Sequence, residues 1–148
     1  MSTKDSLPSV INVSVEAYRM FRAMCQETIT DDKKISGSKS RLSTSEKPFS
    51  TYVQAMLVAA ALGLAKGERT PVGQERNWII RGEYLRNNKN YKPFRQLLRA
   101  KFQLRTEHEV IDAFVEFAET GVRELYAEYS STGKIDFLRL ASVGTIPS

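Results

Sequence analysis

The residue types that carry most enzyme chemistry are scarce in this chain, and their spacing forms no recognisable site. The sequence holds one histidine, His108, and one cysteine, Cys25. A zinc site needs four protein ligands, or three with an open position, so these two residues predict none. Cys25 lies on the apolar side of a predicted helix, which is typical of a small buried side chain rather than a nucleophile. We therefore predict a non-catalytic protein with no metal and no cofactor.

The sequence does contain a segment that is rich in positively charged side chains. Residues 66–105 contain 11 Lys or Arg against three Glu, in a chain whose formal net charge is +5. Such side chains on neighbouring helices neutralise nucleic-acid phosphates and release their counterions. Asn and Gln side chains in the same region can hydrogen-bond to phosphates or base edges. We predict a surface for nucleic acid at about residues 75–103 and the turn before them, formed by Arg69, Arg76, Arg81, Arg86, Lys89, Lys92, Arg95 and Arg99.

The next stretch has the opposite charge. Residues 106–130 carry seven Asp or Glu against one Arg. An acidic helix on the same chain as a basic one favours docking between complementary faces, within one molecule, between copies, or onto another protein. The alternative hypothesis is therefore a protein-interaction or scaffold subunit without nucleic-acid contact, and it leaves a homo-oligomer open. Its partner-binding residues are predicted to be Asp112, Glu116 and Glu119.

Hydrophobic periodicity and capping signals indicate the elements that carry these charges. Ser14 and Thr51 are predicted N-caps, and Thr106 with Glu109 forms a capping box. The helices are expected at about 15–30, 52–65, 75–86, 93–103 and 107–129, with a short segment after Gly133. The second is apolar on nearly every face, which favours a central position. The predicted fold is all-α: a compact bundle of five or six helices around that buried helix.

Particular core residues follow from this arrangement. Met56, Leu57, Ala60 and Leu64 are expected to be nearly inaccessible. Trp78 is expected to be substantially buried, because Trp78, Ile79, Gly82 and Leu85 are spaced to share one helix face. Aromatic residues at helical spacing belong more often to a core than to a surface on which bases stack. The stretch from Lys66 to Gly73 is expected to be a helix stop followed by a turn.

Composition sets the remaining limits. At 148 residues the chain is long enough for one domain, 1–148. The Ser/Lys-rich stretch at about 33–48 is too polar to join a core and is predicted to be a mobile basic loop. The longest apolar run, at 53–65, is too short to span a bilayer. With a single cysteine and no signal peptide, we predict a cytoplasmic protein without membrane contact.

The segment "MLVAAALGLAKGERTPVG" resembles a known family, the small proteins encoded beside bacterial DNA phosphorothioation (Dnd) genes and called Dnd system-associated protein four. The resemblance covers about residues 52–72. It implies a small accessory protein of a bacterial, DNA-directed defence system, which binds DNA or another protein of that system, and it assigns no catalytic role. The matching positions are Ala60, Ala61, Leu62, Gly63, Gly67, Arg69, Thr70 and Pro71.

Overall fold

The fold combines helices with a small sheet. The computed structural model describes residues 7–26 and 47–136. Within these ranges the chain forms five helices and two strands, so the expected all-α bundle is wrong and the fold is mixed α/β. In chain order the elements are β1 (Val10–Ser14), α1 (Val15–Met24), α2 (Tyr52–Lys66), β2 (Arg76–Arg81), α3 (Gly82–Arg86), α4 (Tyr91–Phe102) and α5 (Glu107–Thr132).

The two strands pair antiparallel, and their register contains an irregularity. Ile11 lies opposite Ile80, but the next residue, Asn12, lies opposite Trp78, so Ile79 is an extra residue. A β-bulge of this kind disturbs the alternation of side chains along a strand. Ile79 and Ile80 are both buried as a result, while Trp78 is on the exposed side.

The bulge explains why the sequence predicts a helix over 75–86. Strict alternation is the sign of a half-buried strand, and the extra residue removes it. The buried positions include Ile79, Gly82 and Leu85, whose spacing of three residues is compatible with one helix face. The segment is instead strand β2 followed by the single-turn helix α3. The expected burial of Trp78 is also wrong, since 54% of its surface is exposed.

The central helix is α5 rather than α2. Between positions 110 and 122 of α5, every residue except Asp112 and Glu116 is buried. The helix α2 packs along α5 with one side, where Met56 and Ala60 are inaccessible as predicted. Leu57 and Leu64 are only partly buried, against expectation. Apolar side chains make up much of any folded surface, so an all-round apolar helix in a small protein need not be enclosed.

Small residues let α2 and α5 approach until their backbones touch. A Cβ atom added to Gly63 would lie 2.0 Å from the carbonyl oxygen of Phe117. One added to Gly121 would lie 1.8 Å from the carbonyl oxygen of Ala59. Ala59 and the two glycines are therefore the positions where the two helices are in closest contact.

The predicted caps are present. The Ser14 hydroxyl accepts a hydrogen bond from the Ala17 amide at 3.0 Å, and Thr51 caps α2 in the same way. Thr106 and Glu109 form the complete capping box of α5. Gly67, with a φ of 73°, ends α2 in the left-handed conformation. This confirms that the stretch after α2 begins as a helix stop.

Helix α1 is shorter than the predicted range 15–30. It ends at Met24 because Cys25 is extended and pairs with the chain at Phe49. The Phe49 amide donates to the Met24 carbonyl at 3.1 Å, and the Gln26 amide donates to the Phe49 carbonyl at 2.8 Å. Cys25 is fully buried, as expected. The predicted mobile loop at 33–48 lies outside the described residues, apart from Lys47 and Pro48, and so does the end of the chain from residue 137.

Candidate nucleic-acid interface

The basic segment and the acidic helix α5 are joined by ion pairs inside the molecule. The Lys66 ammonium lies 3.1 Å from the Glu124 carboxylate. The Arg69 Nε lies 3.0 Å from a carboxylate oxygen of Glu116. These pairs connect the end of α2 and the following turn to α5. They show that part of the positive charge between residues 66 and 105 is neutralised within the chain.

The turn containing Arg69 is packed against α5 by further contacts. The Arg69 guanidinium lies 5.6 Å from the centre of the Phe117 ring, a geometry in which a cation is attracted to the aromatic face. The Thr70 amide donates to the Glu116 carbonyl at 3.1 Å, and the Thr70 and Thr120 hydroxyls are 2.7 Å apart. Arg69 and Thr70 therefore hold the turn on the helix. Arg69 is poorly placed for the phosphate contact predicted for it.

Arg95 and Arg99 do not face solvent as the predicted nucleic-acid surface requires. Both guanidinium groups turn toward the carboxylate of Glu107, whose side chain is only 10% exposed, against 30% for each arginine. The Arg95 Nε donates to Glu107 at 2.6 Å, and Arg99 also donates to the Arg105 carbonyl at 2.8 Å. Guanidinium groups satisfied by a buried carboxylate have less capacity left for phosphates. These two residues tie α4 to the start of α5.

The predicted acidic partner face is not one surface. Asp112 is exposed, and Glu116 is half-buried in its pair with Arg69. Glu119 is fully buried. Its carboxylate accepts hydrogen bonds from the Ser14 amide at 2.7 Å and the Ser14 hydroxyl at 2.8 Å. Because Glu119 is enclosed by its own chain, it is not available to a partner, and its place in the predicted partner-binding set is corrected.

The remaining predicted cations are exposed. Arg76 donates to the Gly73 carbonyl at 2.8 Å, and Arg81 lies 3.9 Å from Glu83 in an open pair. Within residues 7–26 and 47–136, Arg86, Lys89 and Lys92 form no ion pair. These five cations come from β2, α3, the turn after α3 and the start of α4. They are the part of the predicted basic surface that is exposed to solvent in the fold.

A cavity of about 360 Å³ brings two of these cations together with Arg95 and Glu107. Arg86 and Lys92 line it together with Tyr91. The Tyr91 hydroxyl is buried and has no hydrogen-bond partner among the described residues. Burial, reinforced by the negative charge of Glu107, raises the pKa of Tyr91 above its ordinary value, so the phenol stays neutral. The cavity thus combines cations with a neutral donor.

A larger groove of about 630 Å³ lies between α1, α2, β2 and α3. Two large aromatic side chains on it are exposed, Trp78 by 54% and Tyr84 by 52%. Tyr18 and Tyr52 line the same groove, with ring centres 6.3 Å apart. Burial, followed by the interaction with Tyr18, raises the pKa of Tyr52. Arg81 and Asn88 complete the polar part of the lining, together with Thr51.

Sequence reasoning missed the aromatic groove because it assigned Trp78 to a helix core. The available signal was the pair of β-branched segments "VINVS" and "RNWIIR", which favour strands. Each is only five or six residues long, and the second is broken by the bulge. Because the bulge at Ile79 interrupts the alternation of β2, Trp78 lies on the opposite face from Ile80 and lines the groove with Arg81 and Tyr84.

Two other kinds of feature concern metals and membranes. Among the described residues, no group of three or more His, Cys, Asp and Glu side chains is placed to hold a metal ion. In the same part of the chain, no helix is both long enough and apolar enough to cross a membrane. His108 is exposed in the first turn of α5.

Comparisons of the chain with protein-family models, with curated proteins and with solved structures give no match. The resemblance of the segment around Gly63 and Pro71 to the Dnd-associated proteins therefore stays a prediction. The exposed cations and the aromatic groove are the features from which a function can be proposed.

Proposed function

We propose that the protein is a small non-catalytic accessory protein that binds nucleic acid through phosphate contacts. The contacts come from the exposed cations Arg76, Arg81, Arg86, Lys89 and Lys92. The observation that carries the proposal is the division of the basic segment into two sets. Arg69, Arg95 and Arg99 are held by carboxylates of α5, whereas Arg86, Lys89 and Lys92 have no such pair in the described part of the chain. Cations left in solvent on neighbouring elements are suited to a polyanion.

The same division weakens the scaffold alternative. That hypothesis rests on a basic and an acidic face being free to dock onto a partner. The acidic face is largely used within the molecule, because Glu107, Glu116 and Glu124 are paired and Glu119 is buried. On α5, a protein partner that recognises negative charge would find Asp112 and Glu109 exposed, and Glu109 is engaged in the capping box. The positive face, by contrast, keeps its five exposed cations.

The proposed biological setting is the one implied by the sequence resemblance. A bacterial, DNA-directed defence system of the phosphorothioation type would supply DNA or a DNA-bound protein assembly as the partner. We propose that the protein acts there in the cytoplasm as an accessory subunit. Arginine and lysine contacts to phosphates would give it affinity with little sequence preference.

Salt-dependent binding tests the proposal. Fluorescence anisotropy with end-labelled DNA is measured at several salt concentrations for the parent and for Arg86→Ala/Lys89→Ala/Lys92→Ala. Each lost phosphate contact flattens the slope of log affinity against log salt by about 0.7–0.9, so we expect a change of about 2 to 3 for the triple variant. The control Lys101→Ala/Arg105→Ala/Lys134→Ala removes the same charge from exposed positions near the ends of α4 and α5 and is expected to change the slope less. Equal slopes for the parent and the first variant, or no DNA binding by the parent at low salt, would contradict the proposal.

A further inference from the structure

Exposed aromatic side chains are concentrated at one place on the described surface. Trp78 and Tyr84 are more exposed than any other large hydrophobic residue there, and both line the aromatic groove defined above. Isolated exposed apolar residues are common, but a group of them around a concave surface indicates a binding site. The groove, at about 630 Å³, lies within the range of ligand sites.

The exposure of these rings is built into the backbone. Trp78 lies opposite Asn12 on the outer face, and the bulge at Ile79 lets Ile80, two residues later, pair with Ile11 on the inner face. Tyr84 faces outward because α3 has a fixed orientation, with its neighbour Leu85 buried. A Cβ atom on Gly82 would lie 2.0 Å from the carbonyl oxygen of Pro8, and the Gly82 amide donates to Ser9 at 2.8 Å. The chain before β1 thus holds the start of α3 in place.

One cation lies on the groove and others follow it along the chain. Arg81 comes between Trp78 and Tyr84 in the sequence and lines the groove with them, as does the amide of Asn88. The exposed cations Arg86 and Lys89 come two and five residues after Tyr84. Aromatic faces with adjacent positive charge are the combination that binds single-stranded nucleic acid, because bases stack on the rings while cations contact the phosphates.

We infer that the groove binds unpaired bases, so that the nucleic acid recognised by the exposed cations is single-stranded or locally opened. This inference rests on the proposed function and deepens it. In a duplex the faces of the bases are stacked on each other, and a protein ring reaches one only after the base leaves the helix. Trp78 and Tyr84 would each stack on a base, and Arg81 would contact the phosphate between them. An uncharged apolar peptide would gain nothing from Arg81, Arg86 and Lys89.

The single tryptophan of the chain makes the test direct. Trp78 is the only tryptophan, so its fluorescence, excited where tyrosine absorbs little, reports on the groove alone. The full-length protein is titrated with an unlabelled mixed-sequence DNA strand and with the duplex of that strand and its complement. We expect saturable quenching by the single strand at lower concentration than by the duplex. Equal affinity for both DNA forms, without quenching, would overturn the inference.

Variants separate stacking from simple charge attraction. Trp78→Leu and Tyr84→Leu should each weaken single-strand binding, measured by anisotropy, by about 5- to 100-fold, with a much smaller effect on duplex binding. Trp78→Phe and Tyr84→Phe keep a ring and should retain most of the affinity. Circular dichroism checks that each variant is folded, and the two sites supply independent tests.

The two proposals fail in different ways. If the parent binds neither DNA form at low salt, the proposed function fails. If it binds both forms equally and the leucine variants behave like the parent, the cations still bind phosphate and only the stacking inference is overturned. Loss of binding in the leucine variants to the same degree for single strand and duplex would also overturn it.

Discussion

The carboxylate of Glu119 accepts hydrogen bonds from both the backbone amide and the hydroxyl of Ser14, a residue 105 positions earlier in the chain. The Ser14 hydroxyl in turn accepts from the Ala17 amide and caps α1. One buried side chain of α5 therefore fixes the point where β1 becomes α1. The Arg123 guanidinium lies 3.1 Å from the same carboxylate and supplies the balancing charge.

Glu119→Ala is expected to lower the free energy of unfolding by about 2–4 kcal/mol, because the buried Ser14 amide loses its acceptor and Arg123 loses its partner. Urea unfolding followed by circular dichroism measures the change. Asp112→Ala is the matched control on the same helix, and since Asp112 is exposed it should shift stability by no more than about 0.5 kcal/mol. Similar values for the two variants would contradict the anchoring role of Glu119.

Gly121→Ala should destabilise the protein by about 3 kcal/mol, because the new methyl group overlaps the Ala59 carbonyl and α2 must move away from α5. Gly133→Ala is the comparison. Its added Cβ meets nothing within 4 Å, but φ is 81°, so only the left-handed backbone is penalised, at about 1 kcal/mol. Thermal unfolding of the two variants side by side measures the difference. A larger loss at Gly133 would mean that the two helices are not in backbone contact.

Trp78→Ala should cost about 1 kcal/mol or less in stability, because the side chain is more than half exposed and leaves no closed cavity. Ile80→Ala, two residues along the same strand, removes a buried side chain and should cost about 2–5 kcal/mol. Chemical denaturation of both variants gives the ranking. The opposite order would restore the helical assignment of this segment and remove the basis for the aromatic groove.

Arg95→Ala should reduce stability by about 2–3 kcal/mol, because Glu107 stays buried beside α4 with one guanidinium fewer. Lys92→Ala removes an exposed charge from the same helix and should change stability by about 0.5 kcal/mol at most. In DNA titrations the order should reverse, with Lys92 affecting the salt slope more than Arg95 does. If Arg95→Ala and Lys92→Ala changed the free energy of unfolding by similar amounts, the ion pair between Arg95 and Glu107 would contribute little to stability.

The capping box of α5 should make stability depend on acid pH. Hydrogen bonds from the Arg105 and Thr106 amides hold the pKa of Glu109 below its ordinary value of 4.5. A carboxylate with a lowered pKa in the folded state contributes stability above its unfolded pKa and loses that contribution as the pH falls through the folded pKa. The stability difference between the parent and Glu109→Gln should therefore shrink as the pH falls below about 4.5. If the stability difference between the parent and Glu109→Gln were the same at neutral and acid pH, the capping box would not contribute the expected pH dependence.

The parts of the fold that local chemistry determines were predictable. Ser14, Thr51 and Thr106 cap helices because their hydroxyls satisfy nearby amides, and Gly67 ends α2 because it adopts a positive φ. The basic and acidic segments were also evident as composition. Composition does not reveal that Glu119 lies beside Ser14, or that Glu107 lies beside Arg95. Whether a charged residue faces solvent or a buried partner depends on long-range packing.

The sequence predicted charged residues of the candidate site but not its exposed aromatic rings. Arg81, Arg86, Lys89 and Lys92 are exposed as the sequence indicates, whereas Arg69, Arg95 and Arg99 are engaged with α5. Trp78 was assigned to a core because Trp78, Ile79, Gly82 and Leu85 are spaced to share one helix face. A two-stranded sheet whose strands are separated by more than 60 residues leaves no local signal of pairing.

The bulge at Ile79 also has a consequence for how this surface changes over generations. Trp78 and Ile80 are two residues apart, so strict alternation along β2 would place both side chains on one face. The surplus residue Ile79 absorbs one step, so that Ile80 pairs with Ile11 on the inner face while Trp78 pairs with Asn12 on the outer face. Loss of the Ile79 codon would leave a regular strand with the same two pairings and the tryptophan still displayed. In related chains, a one-residue gap at position 79 is therefore compatible with the same groove.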